Sequence, residues 1–219
     1  LGDGTTSGSN GSNGKDPVFP DVGGPVKQVS IGWGHTCVVM KTDGWLKCWG
    51  RFYGGSVNDA STPVVIDFGD NQRVKHVCGG YTFFCVLLDD GSVKCSAGSS
   101  YTAVSPGVGG LVKHIDCGHE HVCVIMDNNL LKCWGLNHSG QLGDGTTTDR
   151  TLTATLVNID PVLQVRKVQL GHYHTCAIME NDALYCWGRG NYGQLGNDQL
   201  ATTNPNPTLV HDGNGRKVV

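Results

Sequence analysis

The stretch GHTCVVMKTDGWLKCWG, residues 34–50, holds two apolar runs, each carrying one cysteine, on either side of a polar turn at Lys41 to Gly44. The same unit returns as FFCVLLDDGSVKCSAG (83–98), HVCVIMDNNLLKCWG (121–135) and HTCAIMENDALYCWG (174–188). Turn residues such as Asp89-Asp90-Gly91 and Asp127-Asn128-Asn129 tolerate the positive φ of a three-residue hairpin loop with a bulge, so each copy reads as a β-hairpin. A ten-residue spacing around a three-residue turn sets the two cysteines directly across from each other, at a separation a disulfide accepts. The first copy spaces its pair by eleven, which its four-residue turn accommodates. Four pairs are therefore expected: Cys37 with Cys48, Cys85 with Cys95, Cys123 with Cys133, and Cys176 with Cys186. Zinc ligation is the alternative, but these are not Cys-x-x-Cys knuckles and each pair would need a second one nearby. Each disulfide closes a loop of about ten residues and contributes at most about 2–3 kcal/mol. Cysteine used this way points to an oxidising compartment, hence a secreted or cell-surface location.

Upstream of each hairpin lies a strand-like segment: VKQVSIG (26–32), VKHVCGG (74–80), VKHIDCG (112–118) and VRKVQLG (165–171). Downstream of the fuller copies come GLNHSGQLGDGTTTDR (135–150) and GRGNYGQLGNDQLATT (188–203), Gly-rich loops leading to a further polar strand. With 33 glycines in 219 residues and no helix-favouring stretch, the chain reads as all-β. About four short strands per repeat, repeated around an axis, make a β-propeller blade. The repeats run approximately over 1–24 (partial), 25–73, 74–110, 111–164, 165–214 and 215–219, the last being the start of another.

The order His-Thr-Cys, Asp-Gly turn, Cys-Trp-Gly, then Gly-Gln-Leu-Gly resembles the repeat of the regulator of chromosome condensation family. It is carried here by Trp49, Trp134 and Trp187 after their cysteines and by Gly140 to Gly143 and Gly193 to Gly196. The resemblance implies a β-propeller, typically of seven blades. The chain is accordingly expected to be an incomplete ring with about four to five blades represented, a portion of a longer polypeptide. LGDGTT at 1–6 repeats residues 142–147, and GRKVV at 215–219 starts a unit that does not reach its hairpin. Copy two departs from the pattern with Ser96 in the Trp slot and no Gly-Gln-Leu-Gly, and copy one reads Gly55-Ser56-Val57-Asn58 there. Cys78 and Cys117 lie two and one residues before their glycines, Gly80 and Gly118. Adjacent strand positions face opposite ways and neighbouring blades present opposite faces, so an inter-blade Cys78–Cys117 disulfide is expected.

Sixteen basic against nineteen acidic residues, with no Lys/Arg run, argue against nucleic acid. No apolar run approaches the roughly 18 residues of a membrane span. The motifs of common hydrolases, NTPases and dehydrogenases are absent, and the expectation is a non-catalytic protein without cofactor or metal. The pairs His119/His121 and His172/His174 place two imidazoles at chelating spacing, but His35, His121 and His174 occupy one repeat slot, which favours packing. Residues 144–149 offer oxygens without the order of a calcium loop. Trp33, Trp45, Phe52 and Tyr53 fall outside the repeating positions and are the contact candidates, together with the loops 51–58 and 99–108. Asn10 and Asn137 head glycosylation sequons. The expected function is an extracellular structural or protein-interaction module of a larger protein or assembly, its partner a protein, further copies of itself, or missing blades of the same longer chain. A secreted propeller that binds or inhibits one soluble protein is the alternative, and a nuclear exchange factor or chromatin binder comes third.

Overall fold

The computed structural model describes residues 20–51, 60–69, 73–97 and 100–210. They form four antiparallel sheets of four strands each, every sheet in simple meander order. Blade 1 consists of β1 (Val26–Ile31), β2 (His35–Met40), β3 (Leu46–Gly50) and β4 (Ala60–Ile66). Blade 2 is β5 (Val74–Gly79), β6 (Phe84–Leu88), β7 (Val93–Ala97) and β8 (Ser100–Val104). Blade 3 is β9 (Val112–Cys117), β10 (His121–Met126), β11 (Leu131–Gly135) and β12 (Arg150–Leu156). Blade 4 is β13 (Val165–Leu170), β14 (His174–Met179), β15 (Leu184–Gly188) and β16 (Asn204–Leu209). The chain divides into two compact units: residues to 89 with 95–104, and 90–94 with 105 onward.

The hairpin at the middle of each blade has the register the spacing predicts. Cys37 faces Cys48, Cys123 faces Cys133 and Cys176 faces Cys186, with Cα atoms 4.1 Å apart and the sulfurs bonded; Cys85 and Cys95 are bonded at 4.0 Å. Cys78 and Cys117 are each in a disulfide as well, and no cysteine among the described residues is free. Four residues before each second cysteine the backbone turns left-handed, at Gly44 (φ 71°), Gly91 (80°), Asn129 (66°) and Asp182 (65°). That is the bulge position of the three-residue loop, where Gly is free of strain and Asn or Asp tolerates it. The glycine closing Cys-Trp-Gly is fixed by a close approach: a Cβ on Gly135 (φ 114°) would lie 2.4 Å from the Glu120 carbonyl oxygen.

Within each unit one blade packs on the next through the same slots. In the first unit Cys37, Val39, Leu46 and Ile66 of blade 1 meet Val74, Val77, Phe84 and Val86 of blade 2. In the second, Ile125, Leu131 and Leu142 of blade 3 meet Val168, Met179 and Trp187 of blade 4. A row of buried polar groups joins blades 3 and 4. The Thr175 hydroxyl donates to the Gln141 carbonyl at 2.9 Å, and the Trp187 indole N–H donates to the same oxygen at 2.9 Å. Having spent its proton, Thr175 Oγ1 accepts from His121 Nε2 at 2.9 Å, which assigns the Nε2–H tautomer to this imidazole. All four residues are fully buried, where an unmade bond costs about 1–3 kcal/mol.

This row gives the repeat motif a physical reading. The Gly-Gln-Leu-Gly loop of one blade seats the Thr and Trp of the next, and Gly143 is the residue under Trp187: a Cβ there would lie 2.5 Å from the indole nitrogen. Blade 1 lacks Gly-Gln-Leu-Gly in its sequence, and blade 2, which follows it, carries Phe84 and Ser96 in the Thr and Trp slots. Ser96 Oγ instead accepts the Phe84 N–H at 2.9 Å inside its own blade.

Candidate interaction surface

The first and second strands of each blade are joined by a two-residue loop inside the sequence Gly-x-x-His, or Gly-x-x-Phe in blade 2. The Gly N–H donates to the carbonyl of the closing residue: Gly32 to His35 at 2.9 Å, Gly80 to Phe83 at 2.8 Å, Gly118 to His121 at 2.8 Å and Gly171 to His174 at 2.9 Å. The closing ring folds back over the glycine, so that a Cβ on Gly118 would lie 2.4 Å from the His121 imidazole. This is why a flat ring, His or Phe, recurs in that slot. Two residues project from each loop: Trp33-Gly34, Tyr81-Thr82, His119-Glu120 and His172-Tyr173. The first of the two is aromatic in every blade.

In the second unit these loops build a cluster. The imidazoles of His119 and His172 stack with centroids 3.7 Å apart and planes 12° from parallel. Tyr173 stands edge-on to His172 at 4.0 Å and to His119 at 5.7 Å, and His138, from the loop between β11 and β12, packs on Tyr173 at 4.9 Å. The Arg189 guanidinium lies 5.7 Å from the centre of the Tyr173 ring and 5.9 Å from that of Tyr192, which is 82% exposed. Glu120 approaches His119 Nδ1 at 3.4 Å. Burial, then the neighbouring His119, lowers the His172 pKa below the ordinary value, Glu120 opposing. In the first unit Trp33, 63% exposed, meets Tyr81 with centroids 5.0 Å apart.

The contact candidates from sequence separate in the structure. Trp33 stands in the loop slot that Tyr81, His119 and His172 fill in the other blades, so the position recurs although the residue does not. Trp45 stands at the other end of the β2–β3 hairpin, beside its turn, where its N–H donates to Asp43 at 3.0 Å. Phe52 and Tyr53, most of the loop 51–58, and the sequon residue Asn10 lie outside the described residues. Tyr173, Arg189 and Tyr192 were not among the candidates. The aromatic residue after each loop glycine was the available signal, hidden because Trp, Tyr and His share the slot.

One further expectation changes. Asn137 is fully buried; its amide N–H groups reach the Thr146 and Thr148 carbonyls at 3.0 and 3.1 Å and Asp144 Oδ1 at 3.2 Å, while its oxygen accepts from Leu142 N at 2.9 Å. This asparagine is the keystone of the loop after β11, and the fold leaves no room for a glycan on it. His121 does not turn toward His119 for chelation, since its Nε2 is committed to Thr175. The oxygens of residues 144–149 are likewise used inside the loop: Asp144 Oδ1 accepts from the Thr146 N–H and hydroxyl, and Asp144 Oδ2 lies 3.5 Å from Arg150 Nε.

Models of the regulator of chromosome condensation (RCC1) repeat match residues 26–55, 112–141 and 165–194, and, in a second form of the same repeat, 133–178 and 181–219. The chain belongs to this family. It is 36% identical over 179 residues to the Ultraviolet-B receptor UVR8 of Arabidopsis thaliana, covering 80% of this chain and 32% of the receptor. Among solved structures it is similar to human WBSCR16 (TM-score 0.78, 20% identity, 89% of this chain and 56% of that one). It is also similar to yeast RCC1 (Prp20) in its complex with Kap60 (TM-score 0.71, 19% identity, 85% and 50%). The RCC1-type β-propeller fold is thereby shown. The chain spans about a third of UVR8 and about half of these solved propellers.

Proposed function

We propose that this chain is a non-catalytic protein-binding propeller that works in an oxidising compartment, secreted or at the cell surface, and that it grips a protein partner through the loops between the first and second strands of its blades. The observation that carries the reading is the aromatic residue after the loop glycine in all four blades, exposed at Trp33 and His172 and half-buried at Tyr81 and His119. In the second unit it is joined by Tyr173, Tyr192 and Arg189 in a cation-and-ring cluster of the composition found at protein interfaces. Yeast RCC1, of the same fold, is crystallised with a protein, Kap60, which supports a protein ligand for this one. The hairpin disulfides support the compartment, because such bonds persist where thiols are not kept reduced. A nuclear exchange factor or chromatin binder fits less well with a net charge of −3 and no basic run.

The test has two arms. Photo-crosslinkers placed at His172 and at Tyr192 should capture the same partner from the native source under non-reducing conditions, and a crosslinker at Val162, exposed on the loop before β13, should not. Tyr173→Ala with Arg189→Ala should weaken binding of that partner at least about tenfold, as loss of central interface residues does. Equal capture from Val162, or unaltered affinity of the double variant, refutes the surface. Folding of the chain with all thiols reduced, as well as with them oxidised, removes the argument for the compartment.

A further inference from the structure

We propose that the stacked imidazoles of His119 and His172 form an acid-operated latch, which holds the loops of blades 3 and 4 together near neutral pH and parts them when both rings carry a proton. The release of a partner that follows rests on the loop surface proposed above; the latch itself does not. Both rings sit at a junction that the chain builds from two of its own blades.

The slot holds a flat ring in every blade, so packing alone does not call for histidine. In the first unit the two slots hold Trp33 and Tyr81, whose centroids lie 5.0 Å apart with planes at 56°. Neither of those rings takes up a proton. In the second unit they hold two imidazoles, face to face at 3.7 Å and 12°. Imidazole is the side chain whose charge changes between about pH 5 and 8. The second unit therefore makes the same contact out of groups that acid turns against each other.

The surroundings answer one positive charge on the pair. Glu120 Oε2 lies 3.4 Å from His119 Nδ1 and can balance an imidazolium on that ring. A second proton, on His172, meets His119 across the stack, Arg189 just after β15 and His138 from the loop after β11, with Glu120 the one opposing acid among the described residues. Behind the pair stand two further imidazoles, His121 and His174, and the Nε2 of His121 is already committed to Thr175. Like charges at stacking distance repel. Burial first, then these neighbouring cations, hold the His172 pKa below its ordinary value.

Parting the rings does not require a blade to unfold. Each loop is closed by its own backbone bond, Gly118 N to His121 O at 2.8 Å and Gly171 N to His174 O at 2.9 Å, and neither passes through the stack. Tyr173 does lean on it, edge-on to His172 at 4.0 Å and to His119 at 5.7 Å, with His138 packed on its ring at 4.9 Å. Separation of the imidazoles thus removes the support of the central ring of the surface. A secreted or cell-surface protein meets the required acidity in acidified compartments.

Nuclear magnetic resonance of the 219-residue chain with its disulfides intact, titrated from about pH 7.5 to 5, tests the latch. The His119 and His172 ring signals should move as one coupled pair, with the His172 midpoint below 6.5. The nuclear Overhauser contact between the two rings and the ring-current shift of Tyr173 should vanish through the same midpoint. His119→Trp with His172→Tyr installs the pair of the first unit and should hold the Tyr173 shift constant over the whole range. Should that double variant fold differently, His172→Tyr alone gives the same readout. Rings that stay in contact at the acid end, or an unchanged transition in the variants, overturn the latch. Affinity for the captured partner should fall at least about tenfold at the acid end, as when about nine molecules in ten have left the binding-competent state. Opening without that fall upholds the latch and refutes the loop surface as the partner's seat.

Discussion

Lowering the pH from 7 to 5 should destabilise this protein by about 3 kcal/mol, through imidazoles that the fold keeps neutral. Burial pushes His121 down to about 3, with the nearby His174, His119 and His172 adding repulsion, and burial alone pushes His35 down to about 4. In the unfolded chain both groups take up a proton near pH 6.5, so at pH 5 the unfolded state holds two protons that the folded state refuses. Stability is fully present above 6.5 and is lost as the pH falls, at about 1.4 kcal/mol per unit per group, or about 4 kcal/mol for the two at pH 5. Asp116 works in the opposite direction. Burial raises its carboxyl to about 6 despite the N–H of Leu170 at 2.9 Å, and below that pH the folded state gains a proton the unfolded state lacks. Its contribution recovers about 1.4 kcal/mol between pH 6 and 5. Urea denaturation at pH 7 and pH 5 reads the difference. In His121→Phe, which places in this slot the residue Phe83 already occupies in blade 2, the pH difference should shrink by about 2 kcal/mol. Stability at pH 7 should also fall in that variant, since Thr175 loses its donor. A wild-type difference below about 1 kcal/mol, or one unchanged by His121→Phe, would refute the assignment of a buried neutral imidazole.

Trp187→Phe removes one of the two donors to the Gln141 carbonyl and part of a fully buried ring; a loss of about 1–3 kcal/mol in urea midpoint measurements is expected, and no loss would show that the inter-blade row carries no weight. Asp182→Gly should stabilise by up to about 1 kcal/mol, because Asp182 sits at φ 65° and its Arg166 partner is a half-exposed ion pair of small value; a lower melting temperature contradicts this. Replacing Cys123 and Cys133 together by Ala should lower stability by about 2–3 kcal/mol while leaving the sheet intact by circular dichroism, since the bond closes only a local hairpin. Asn137→Gln, which keeps the amide but lengthens its stem inside a fully buried site, should cost about 1–3 kcal/mol and open the loop after β11 to proteolysis.

The hairpins were legible because their information is local. Cysteine spacing, the Asp-Gly and Asn turns and the alternating runs all constrain one another within fifteen or so residues, and the structure returns the same register. The inter-blade row was not legible in the same way. Gln141 lies far from Thr175 and Trp187 in sequence, and only the packing of blade 4 on blade 3 brings the three together. Asn137 satisfied a sequon pattern, which three letters define, but its burial is a tertiary fact that no such pattern contains. The candidate surface was half visible. Trp33 was picked as a conspicuous large residue, while its counterparts Tyr81, His119 and His172 were hidden by their chemical variety. Arg189, Tyr173 and His138 join them only when the loops of two blades come together.

Each of the four described blades is stapled by a hairpin disulfide, and the oxidising compartment proposed above rests on those bonds. Peptide mapping of the unreduced protein, purified from its native source with free thiols alkylated at lysis, tests this most directly. Five linked pairs are expected, Cys37–Cys48, Cys85–Cys95, Cys123–Cys133, Cys176–Cys186 and Cys78–Cys117, with no alkylated cysteine. Recovery of the hairpin cysteines as alkylated thiols, or in pairs that cross between hairpins, would contradict it.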